Sequence, residues 1–470
     1  MTSSTGPNML SVNAAFDGNQ IAQLPCDDIA GAEEALATAY KLFRDRRTWL
    51  PIPDRVDILR RAGDIMRSRI EELTLQAARE GGKPYTDSKI ELRRAIDGVD
   101  NCIEVLRGDG GEVIPMGINK PSAGRVAFTR REPIGVVVAV SAFNHPMNLI
   151  VHQVAPGVAA GCPVIVKPAP DTPLSGKAFV EILHEAGLPP EWCQLIITDQ
   201  IDVAEKLVTD ERVGIFSFIG SARVGWMLRS KLAPGTRAAL EHGGAAPVIV
   251  AADADLDDAV PRMVKGGFYH AGQVCVSVQR VFAHADIARS LAEQIAHQAA
   301  ALTVGDPINP ETEVGPLIRP GEVTRVGEWV KEAIDGGGEC LTGGKAISET
   351  CYAPTVLYDP PVKARVSTSE IFGPVVCIFP FTDLDEAVER ANALPYAFQA
   401  AVFTRDIETA TRAYAGLDAS AVMVNDHTAF RVDWMPFAGL RQSGLGVGGI
   451  PHTFDEMTIQ KMMVLRSDRL

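Results

Sequence analysis

The 470-residue sequence contains no C-x-x-C pair, the spacing from which many zinc sites and redox motifs are built. Its cysteines occur singly along the chain, at Cys26, Cys102, Cys162, Cys193, Cys275, Cys340, Cys351 and Cys377. This distribution excludes a zinc framework and a small disulfide scaffold, and it predicts no metal site. An isolated cysteine is usually a reduced packing residue, so only its neighbours can indicate a chemical role.

Basic residues are also fewer than acidic ones. The sequence has 45 Lys and Arg against 59 Asp and Glu, which gives a formal net charge of −14. No segment concentrates positive charge, which argues against nucleic acid as a partner. The longest apolar runs, such as residues 133–143, are well short of the ~18 residues that a membrane span needs. The start of the sequence has neither the basic nor the apolar segment of a secretion signal. We therefore expect a cytoplasmic protein without a membrane partner.

The periodicity of apolar residues changes along the chain. From residue 30 to 107 they recur every three or four positions, which predicts helices. Residues 125–131 alternate like an exposed strand arm, and residues 136–140 are continuously apolar, like a strand buried on both faces. The tail, residues 453–467, alternates like an edge strand and has no evident partner in its own domain.

Strands and helices alternate from residue 135 to 241, and a second α/β block follows from about 244 to 440. This pattern predicts a doubly wound α/β fold with two or three domains. Ligands bind at the carboxyl ends of parallel strands, so the segments directly after the strands are candidates for a site. In the first block these segments are SAFNHP, VKPAP, FIGS and LEHGG.

Three residues in these blocks have side chains suited to acyl chemistry. Cys275 follows a predicted helix end and is either a buried packing residue or a nucleophile facing a cleft. Glu241 closes a strand before two glycines, as a general base or as a surface glutamate. Asn144 ends a buried strand, where its amide either donates to an oxyanion or forms an Asx turn.

Two further strand ends have features of a cofactor site. Lys167 follows a buried strand and precedes a predicted helix, so its amine either binds a ribose or phosphate or extends to solvent. Gly220 and Ser221 lie between a strand and a helix, where backbone N–H groups and the helix dipole favour a pyrophosphate. This segment is not a G-x-G-x-x-G motif and is a weak signal alone.

Taken in order, the motifs between about residues 130 and 446 resemble the aldehyde dehydrogenase superfamily. The matching segments are FNHP, VIVKPAPDTPLS, FIGSARVG, LEHGG, GQVCVSVQR, EIFGPV, AAVFT, VN and MPFAGLRQSGLG. The resemblance implies an α/β fold with a Rossmann-type cofactor domain, an α/β catalytic domain and a small β oligomerisation arm. It places the cofactor domain at residues 1–114 and 134–243, the catalytic domain at 244–443, and the arm at 115–133 and 444–470.

The same resemblance implies NAD(P)-dependent oxidation of an aldehyde through a cysteine thiohemiacetal and a thioester. Cys275 would be the nucleophile and Glu241 the base, while Asn144 and the Cys275 amide would form the oxyanion hole. Lys167 is counted with this catalytic group and with the cofactor contacts. The cofactor contacts implied are Lys167, Gly220, Ser221, Glu370, Phe372, Ala142 and Phe143.

The sequence departs from the family pattern at several positions. Pro170 lies where relatives that favour NAD usually have a ribose-binding glutamate. No carboxylate there repels a 2′-phosphate, so NADP is expected to be accepted at least as well as NAD. His242 and Ala245 alter the common LELGGK motif, and Gly448 lies where a glutamate is often found.

The expected substrate channel is rich in histidine. His145 and His152 lie where many relatives have an aromatic or apolar residue, and the segment HTAFRVDW adds Arg431, with His427 and Trp434, near Phe437. His145, His152, Arg431 and Phe437 are therefore predicted substrate contacts. They suit a small aldehyde with a polar or anionic group and resemble the lactaldehyde and phosphonoacetaldehyde dehydrogenase branch.

Two alternatives remain open from the sequence. A CoA-acylating semialdehyde dehydrogenase would transfer the acyl group to a thiol, although such enzymes tend to lack the base at Glu241. A non-catalytic scaffold would not need Asn144, Glu241 and Cys275 together. A homodimer or homotetramer is expected in each case, because the arm and the tail would be covered by another copy.

Overall fold

The computed structural model describes residues 8–469. Residues 1–7 of the predicted cofactor domain and residue 470 of the predicted arm lie outside this range. Within it, no helix is both long and apolar enough to cross a membrane.

A hairpin and four helices come before the first large sheet. Their bounds are β1 (Met9–Asn13), β2 (Gln20–Pro25), α1 (Ile29–Arg44), α2 (Ile52–Ser68), α3 (Ile70–Gly81), α4 (Tyr85–Gly108) and the short β3 (Val113–Ile114). The helices confirm the periodicity of residues 30–107, and α3 ends at Gly82 in the left-handed conformation (φ 75°) that favours glycine. The antiparallel hairpin of β1 and β2 was not predicted.

The next region alternates strand and helix. It consists of β4 (Arg125–Pro133), β5 (Val136–Val140), α5 (Asn148–Ala160), β6 (Val164–Lys167), α6 (Pro173–Glu185), β7 (Cys193–Leu195), α7 (Ile201–Thr209), β8 (Val213–Ile219), α8 (Ala222–Arg229) and β9 (Arg237–Glu241). Strands β5 to β9 are parallel and form most of the first large sheet. The predicted doubly wound α/β fold is confirmed here.

Strand β5 is buried on both faces, as its continuous apolar run predicts. Val137 and Ala139 pack into a core with helices α2 to α6, while Val136 and Val138 pack on the opposite face against α1, α7 and α8. Successive side chains of a strand point to opposite faces, so two separate cores require apolar residues at every position.

The second sheet is built from the following region. Its elements are β10 (Ala246–Val250), α9 (Leu256–Phe268), β11 (Val278–His284), α10 (Ala285–Ala300), α11 (Pro320–Asp335), β12 (Glu339–Thr342), β13 (Thr355–Tyr358), α12 (Arg365–Thr368), β14 (Val375–Phe381), α13 (Leu384–Asn392), β15 (Tyr396–Ala397), β16 (Gln399–Phe403), α14 (Ile407–Gly416) and β17 (Ala421–Val424). The seven strands have the order β12-β13-β14-β11-β10-β16-β17, and only β12 is antiparallel to its neighbour.

The last elements return to earlier parts of the structure. They are β18 (Leu440–Arg441), β19 (Gly444–Leu445), α15 (Ile450–Glu456) and β20 (Thr458–Arg466). Strand β18 pairs with β15, and β19 pairs with β9 at the edge of the first sheet. Residues 444–457 therefore pack with the cofactor-side sheet and helices, whereas β20 forms the arm. The domain boundaries inferred from the sequence stay a prediction.

The tail strand has a partner in its own chain, contrary to the expectation from the sequence. Strand β20 pairs antiparallel with β4 over its whole length, from Thr458 opposite Pro133 to Arg466 opposite Arg125, and β3 pairs with the other edge of β4. The expectation was wrong because the two strands are more than 300 residues apart, and local alternation does not reveal such a pairing.

The first sheet positions the functional groups. Its strand order is β19-β9-β8-β5-β6-β7. The chain therefore adds β6 and β7 on one side of β5, and then crosses to the other side to add β8 and β9. A crevice forms at the carboxyl ends of the strands where the order reverses, between β5 and β8. The residues that follow these strands therefore face one opening between the two large sheets.

The three-stranded arm exposes apolar residues on both faces, and on one face they form two adjacent cross-strand pairs. Phe128 and Met463 lie opposite each other and are 37% and 46% exposed, and Val126 and Leu465, the next pair on this face, are 39% and 48% exposed. A contiguous exposed apolar surface is typical of a protein interface.

We expect this face to be covered by a second copy of the chain, so that the protein is a homodimer or larger at micromolar concentration. Met463→Glu should weaken the assembly because it buries a charge at the interface. Gln460→Glu, on the opposite face of β20, is the matched control. Light scattering measures the mass of each, and a wild-type monomer at micromolar concentration would contradict the expectation.

Candidate active site

A cavity of ≈ 950 Å³ lies at the carboxyl ends of the first sheet and extends to the segment before β11. Its walls include residues that follow four strands: β5, β6, β8 and β9. The cavity brings together the sequence-predicted residues Ala142, Phe143, Asn144, His145, Lys167, Gly220, Ser221, Glu241, Cys275, Glu370, Phe372, Arg431 and Phe437. Of the predicted site residues, only His152 is not among its lining residues.

A strained turn presents Cys275 to this cavity. His270, Ala271 and Gly272 have φ values of 48°, 53° and 69°, so three consecutive residues are left-handed. Such a conformation costs about 1–3 kcal/mol for each residue other than glycine. A Cβ at Gly272 would overlap the carbonyl oxygen of Gly373, so only glycine fits there.

The side chain of Gln273 holds the turn in place. Its Nε2 donates to the carbonyl of Pro316 at 3.1 Å, and its Oε1 accepts from the N–H of Ile318 at 3.0 Å. The backbone carbonyl of Gln273 accepts from Nδ2 of Asn144 at 2.9 Å. The Asn144 amide is thus fixed beside the segment that carries Cys275, and it has a second N–H to donate.

The charge environment of Cys275 has opposing parts. Burial raises the pKa of the thiol to about 12, Arg431 lowers it, and Glu241 and Glu370 raise it. The thiol is therefore protonated at neutral pH. Arg431 is the charged group that favours the thiolate, and a hydrogen bond from the Cys275 backbone N–H adds to its effect.

Glu241 ends β9, and its carboxylate extends from the main cavity into a second, smaller one of ≈ 20 Å³. A Cβ at Gly448 would overlap the Glu241 carboxylate, so the glycine makes this placement possible. Burial raises the pKa of Glu241, and Arg431 partly offsets this increase. A carboxylate with a raised pKa, close to a buried thiol, is suited to act as a general base.

The other end of the cavity has the features of a dinucleotide site. Ser221 is the N-cap of α8 and makes no side-chain capping hydrogen bond, and it lines the cavity together with Arg223 and Val224 of the first turn. The N-terminus of a helix favours an anion. Burial lowers the pKa of Lys167 to about 8, and its Nζ donates only to the carbonyl of Pro168, at 3.2 Å, among the residues that the structure describes.

Glu370 completes this end. Its Oε1 is buried without a hydrogen-bond partner among the described residues, and burial raises its pKa to about 8. A Cβ at Gly243 would overlap this carboxylate. An unpaired buried acceptor is costly, and a ribose hydroxyl would satisfy it. The residues present therefore fit a nicotinamide dinucleotide.

The carboxylate next to Pro170 is already hydrogen-bonded within the protein. Asp171 accepts two hydrogen bonds from Arg319, at 2.8 and 2.5 Å, whereas the neighbouring Pro170 has no polar side chain. Arg223, on the first turn of α8, also lines the cavity.

Arg431 and His145, two of the predicted substrate contacts, line the cavity. The Arg431 guanidinium lies 3.6 Å from the centroid of the Phe437 ring, and Nε2 of His145 is 3.1 Å from the Tyr269 hydroxyl. Burial holds the pKa of His145 well below its usual range, so this histidine is neutral.

His152 lies behind Arg431 and lines only the smaller cavity. We therefore assign it no direct contact with a substrate, because its side chain is 3% exposed and bonded to Asp433. His427 and Trp434 do not line the main cavity either. His427 instead accepts from the N–H of Ala429 within its own loop.

Comparisons with known proteins identify the family of this chain. The model of the aldehyde dehydrogenase family matches residues 1–463. A 3-sulfolactaldehyde dehydrogenase of Priestia aryabhattai is 36% identical over 452 residues, which cover 95% of this chain and 94% of the relative. The chain belongs to the aldehyde dehydrogenase family. It is therefore an oxidoreductase that uses a nicotinamide cofactor.

Solved structures of aldehyde dehydrogenases have the same fold. One from Physcomitrella patens, in complex with the reaction product succinate, superposes with a TM-score of 0.94 at 33% identity and covers 98% of this chain and 96% of its own. A glyceraldehyde-3-phosphate dehydrogenase of Methanocaldococcus jannaschii complexed with NADP has a TM-score of 0.93 at 33% identity, covering 98% and 100%.

Several residues around the site of this aldehyde dehydrogenase were not predicted. Asp433 and Arg94 form a bidentate ion pair behind the substrate side, and Tyr269 bonds His145. Asp433 lies in the segment HTAFRVDW, but nothing in the sequence connects it with Arg94. His242, noted as unusual, donates from Nδ1 to the Gly220 carbonyl at 2.9 Å and fits because Gly225 has no side chain.

Arg431 is expected to control the reactivity of the Cys275 thiol. Arg431→Leu should slow alkylation of Cys275 by iodoacetamide, because loss of the positive charge raises the thiol pKa further and leaves less thiolate. Alkylation in both proteins should accelerate as the pH rises, since the pKa lies above the assay range.

Peptide mass spectrometry measures the rate at each cysteine. Cys340, which is also incompletely buried and is distant in the second sheet, is the internal control. Equal Cys275 rates in the wild type and Arg431→Leu would contradict the assignment.

Proposed function

We propose that the enzyme oxidises a small aldehyde bearing an anionic group to a carboxylic acid, with water as the final acyl acceptor. The observation that carries the anionic part is Arg431, a half-buried guanidinium that lines the cavity with Cys275 and forms no ion pair among residues 8–469. A partly buried guanidinium that forms no ion pair has lost part of its hydration, and a substrate anion would compensate for that loss.

In the proposed reaction the Cys275 thiol releases its proton to solvent, and the thiolate attacks the aldehyde carbon and forms a thiohemiacetal. The resulting oxyanion accepts hydrogen bonds from Nδ2 of Asn144 and the backbone N–H of Cys275. Asn144 is suited to this role because its bond to the Gln273 carbonyl fixes the orientation of the amide. The oxyanion is stabilised without reorganisation of the site.

Lys167, Ser221, Glu370 and Phe372 would hold the cofactor. A bound nicotinamide would supply a hydride acceptor, and loss of hydride from the thiohemiacetal carbon would leave a thioester on Cys275. Glu241 then takes a proton from the water that attacks the thioester. Its raised pKa brings its basicity closer to that needed for this step at neutral pH.

The same base favours hydrolysis over transfer to CoA. Its carboxylate faces a second cavity of ≈ 20 Å³, space for about one water. The CoA-acylating alternative has no such requirement for Glu241.

NADP is proposed to be accepted at least as well as NAD. Pro170 offers no carboxylate to the ribose hydroxyls, and Asp171 is already neutralised by Arg319. Lys167 and Arg223 add positive charge to the walls of the cavity, which favours an additional phosphate.

The substrate class is proposed from the chemistry of Arg431. A planar guanidinium with free N–H groups suits a carboxylate, sulfonate or phosphonate. The name of the Priestia relative gives a sulfonated aldehyde as its substrate, and the Physcomitrella structure contains the dicarboxylate succinate. Both ligands are short and anionic.

The mechanism predicts different defects for two variants. Cys275→Ser should lose aldehyde oxidation because the weaker nucleophile forms no thioester. Glu241→Gln should produce one equivalent of reduced cofactor rapidly and then turn over about 10²- to 10⁴-fold more slowly. Stopped-flow absorbance measures both phases. Wild-type activity in Cys275→Ser would refute the mechanism, and formation of an acyl-CoA in place of the free acid would favour the CoA alternative.

Pro170→Glu should shift the cofactor preference towards NAD by at least about tenfold, equivalent to ~1.4 kcal/mol. The new carboxylate accepts from the ribose hydroxyls and repels a 2′-phosphate. Pro170→Gln is the matched control without charge, and the ratio of kcat/KM for the two cofactors is the measurement. A wild-type enzyme that prefers NAD about a hundredfold would show that another contact determines the choice.

Arg431→Leu should raise the KM for succinic semialdehyde by about ten- to a hundredfold, the loss expected for a charge-assisted hydrogen bond. Butanal, which has the same chain length and no charge, should show a much smaller change in KM. Arg229→Leu, at the end of α8 and outside the cavity lining, is the control. Equal KM increases for the two aldehydes would exclude Arg431 as the anion-binding group.

A further inference from the structure

Arg431 is oriented by a single polar side chain among the residues that the structure describes. Its Nη2 donates to Nδ1 of His152 at 3.3 Å, and its Nε has no hydrogen-bond partner within residues 8–469. The guanidinium also stacks on the ring of Phe437. One edge of the guanidinium is thus held, while the other N–H groups stay available.

His152 is held by Asp433 on its other side. Nε2 of His152 lies 2.7 Å from Oδ1 of Asp433, and both side chains are at least 97% buried. Asp433 also accepts from Arg94 at 3.1 and 2.7 Å and from Nδ2 of Asn148 at 3.2 Å. The carboxylate is therefore saturated with donors.

This arrangement determines the tautomer of His152. Burial opposes ionisation of Asp433, but the bonds from His152 and Arg94 lower its pKa below the usual range, so it only accepts. The hydrogen of His152 must then lie on Nε2, which leaves a lone pair on Nδ1. Burial and Arg431 lower the His152 pKa to about 4, so the ring is neutral in the physiological range.

A neutral acceptor has an effect on Arg431 that a carboxylate would not have. If Asp433 contacted Arg431 directly, the pair would be neutral and a substrate anion would gain little. Because His152 lies between them, the guanidinium is fixed in direction but keeps its positive charge. Arg94 neutralises Asp433 instead.

We propose that His152 is a positioning residue, which together with Asp433 orients Arg431, a cation without an ion pair among residues 8–469, towards the anionic group of the substrate. This inference rests on the proposed function, since it assigns the orientation of the group that recognises the anion. It also replaces the direct contact between His152 and the substrate that the sequence predicts.

The test compares His152→Leu and His152→Gln with succinic semialdehyde and butanal. Leucine removes both hydrogen bonds of the ring, whereas the amide oxygen of glutamine can still accept from Arg431. His152→Leu should raise the KM for the semialdehyde by about tenfold or more. The KM for butanal should change less than about threefold because butanal has no anionic group, and His152→Gln should restore part of the loss. Any fall in kcat should be equal for the two aldehydes, because Arg431 also favours the Cys275 thiolate.

A second measurement does not depend on turnover. Dissociation constants for succinate, measured by calorimetry without cofactor, should increase in His152→Leu in the same proportion as the KM for the semialdehyde. His297→Leu, at an exposed histidine on α10 without a side-chain hydrogen bond in the described structure, controls for the substitution itself. Circular dichroism and melting temperature test that each variant is folded.

The outcomes separate the two proposals. If Arg431→Leu raises the KM for the semialdehyde more than that for butanal but His152→Leu does not, the positioning role of His152 is wrong. The anionic substrate class then stands. If neither variant discriminates between the aldehydes, the anionic substrate class is wrong as well. If His152→Leu raises the KM for both aldehydes equally, His152 is structural only and the inference is overturned.

Discussion

Burial of ionisable groups between the two sheets of mainly parallel strands is the constraint on which the site depends. The same removal from water raises the pKa values of Cys275, Glu241 and Glu370 and lowers that of Lys167, so each group is displaced towards its neutral form. Only a nearby charge or a bound ligand can restore the ionised forms. Arg431 is the protein's own contribution to this balance, since it favours both the thiolate and the carboxylate beside it.

Much of this arrangement could be predicted from the sequence because its signals are local. The unbroken apolar run of β5 requires two covering layers, and a parallel sheet with helices on both faces supplies them. The carboxyl ends of such strands converge, so the positions of Asn144, Lys167 and Glu241 directly after strands are enough to predict that they meet. The family motifs added Cys275 and Glu370, which belong to the second sheet region and have no local signal that connects them with the first.

The parts that could not be predicted are pairings between distant segments. His152 and Asp433 are separated by 281 positions, and a buried histidine near a binding site looks the same in sequence whether it touches the substrate or another side chain. The pairing of β20 with β4 could not be predicted for the same reason, because the alternation of a strand does not indicate which strand it pairs with. The sequence indicates a polar side chain at His152 and a strand at β20. Their contacts, with Asp433 and with β4, depend on tertiary packing.

The contact between Gly272 and the carbonyl of Gly373 connects the two halves of the site mechanically. Gly272 belongs to the turn that presents Cys275, and Gly373 immediately follows Phe372, which is itself left-handed with φ 47°. With no side-chain layer between them, the two loops cannot slide independently. A displacement of the loop that carries Glu370 is therefore transmitted to the sulfur through backbone alone, and the alignment of the thiol is sensitive to how that neighbouring loop is seated.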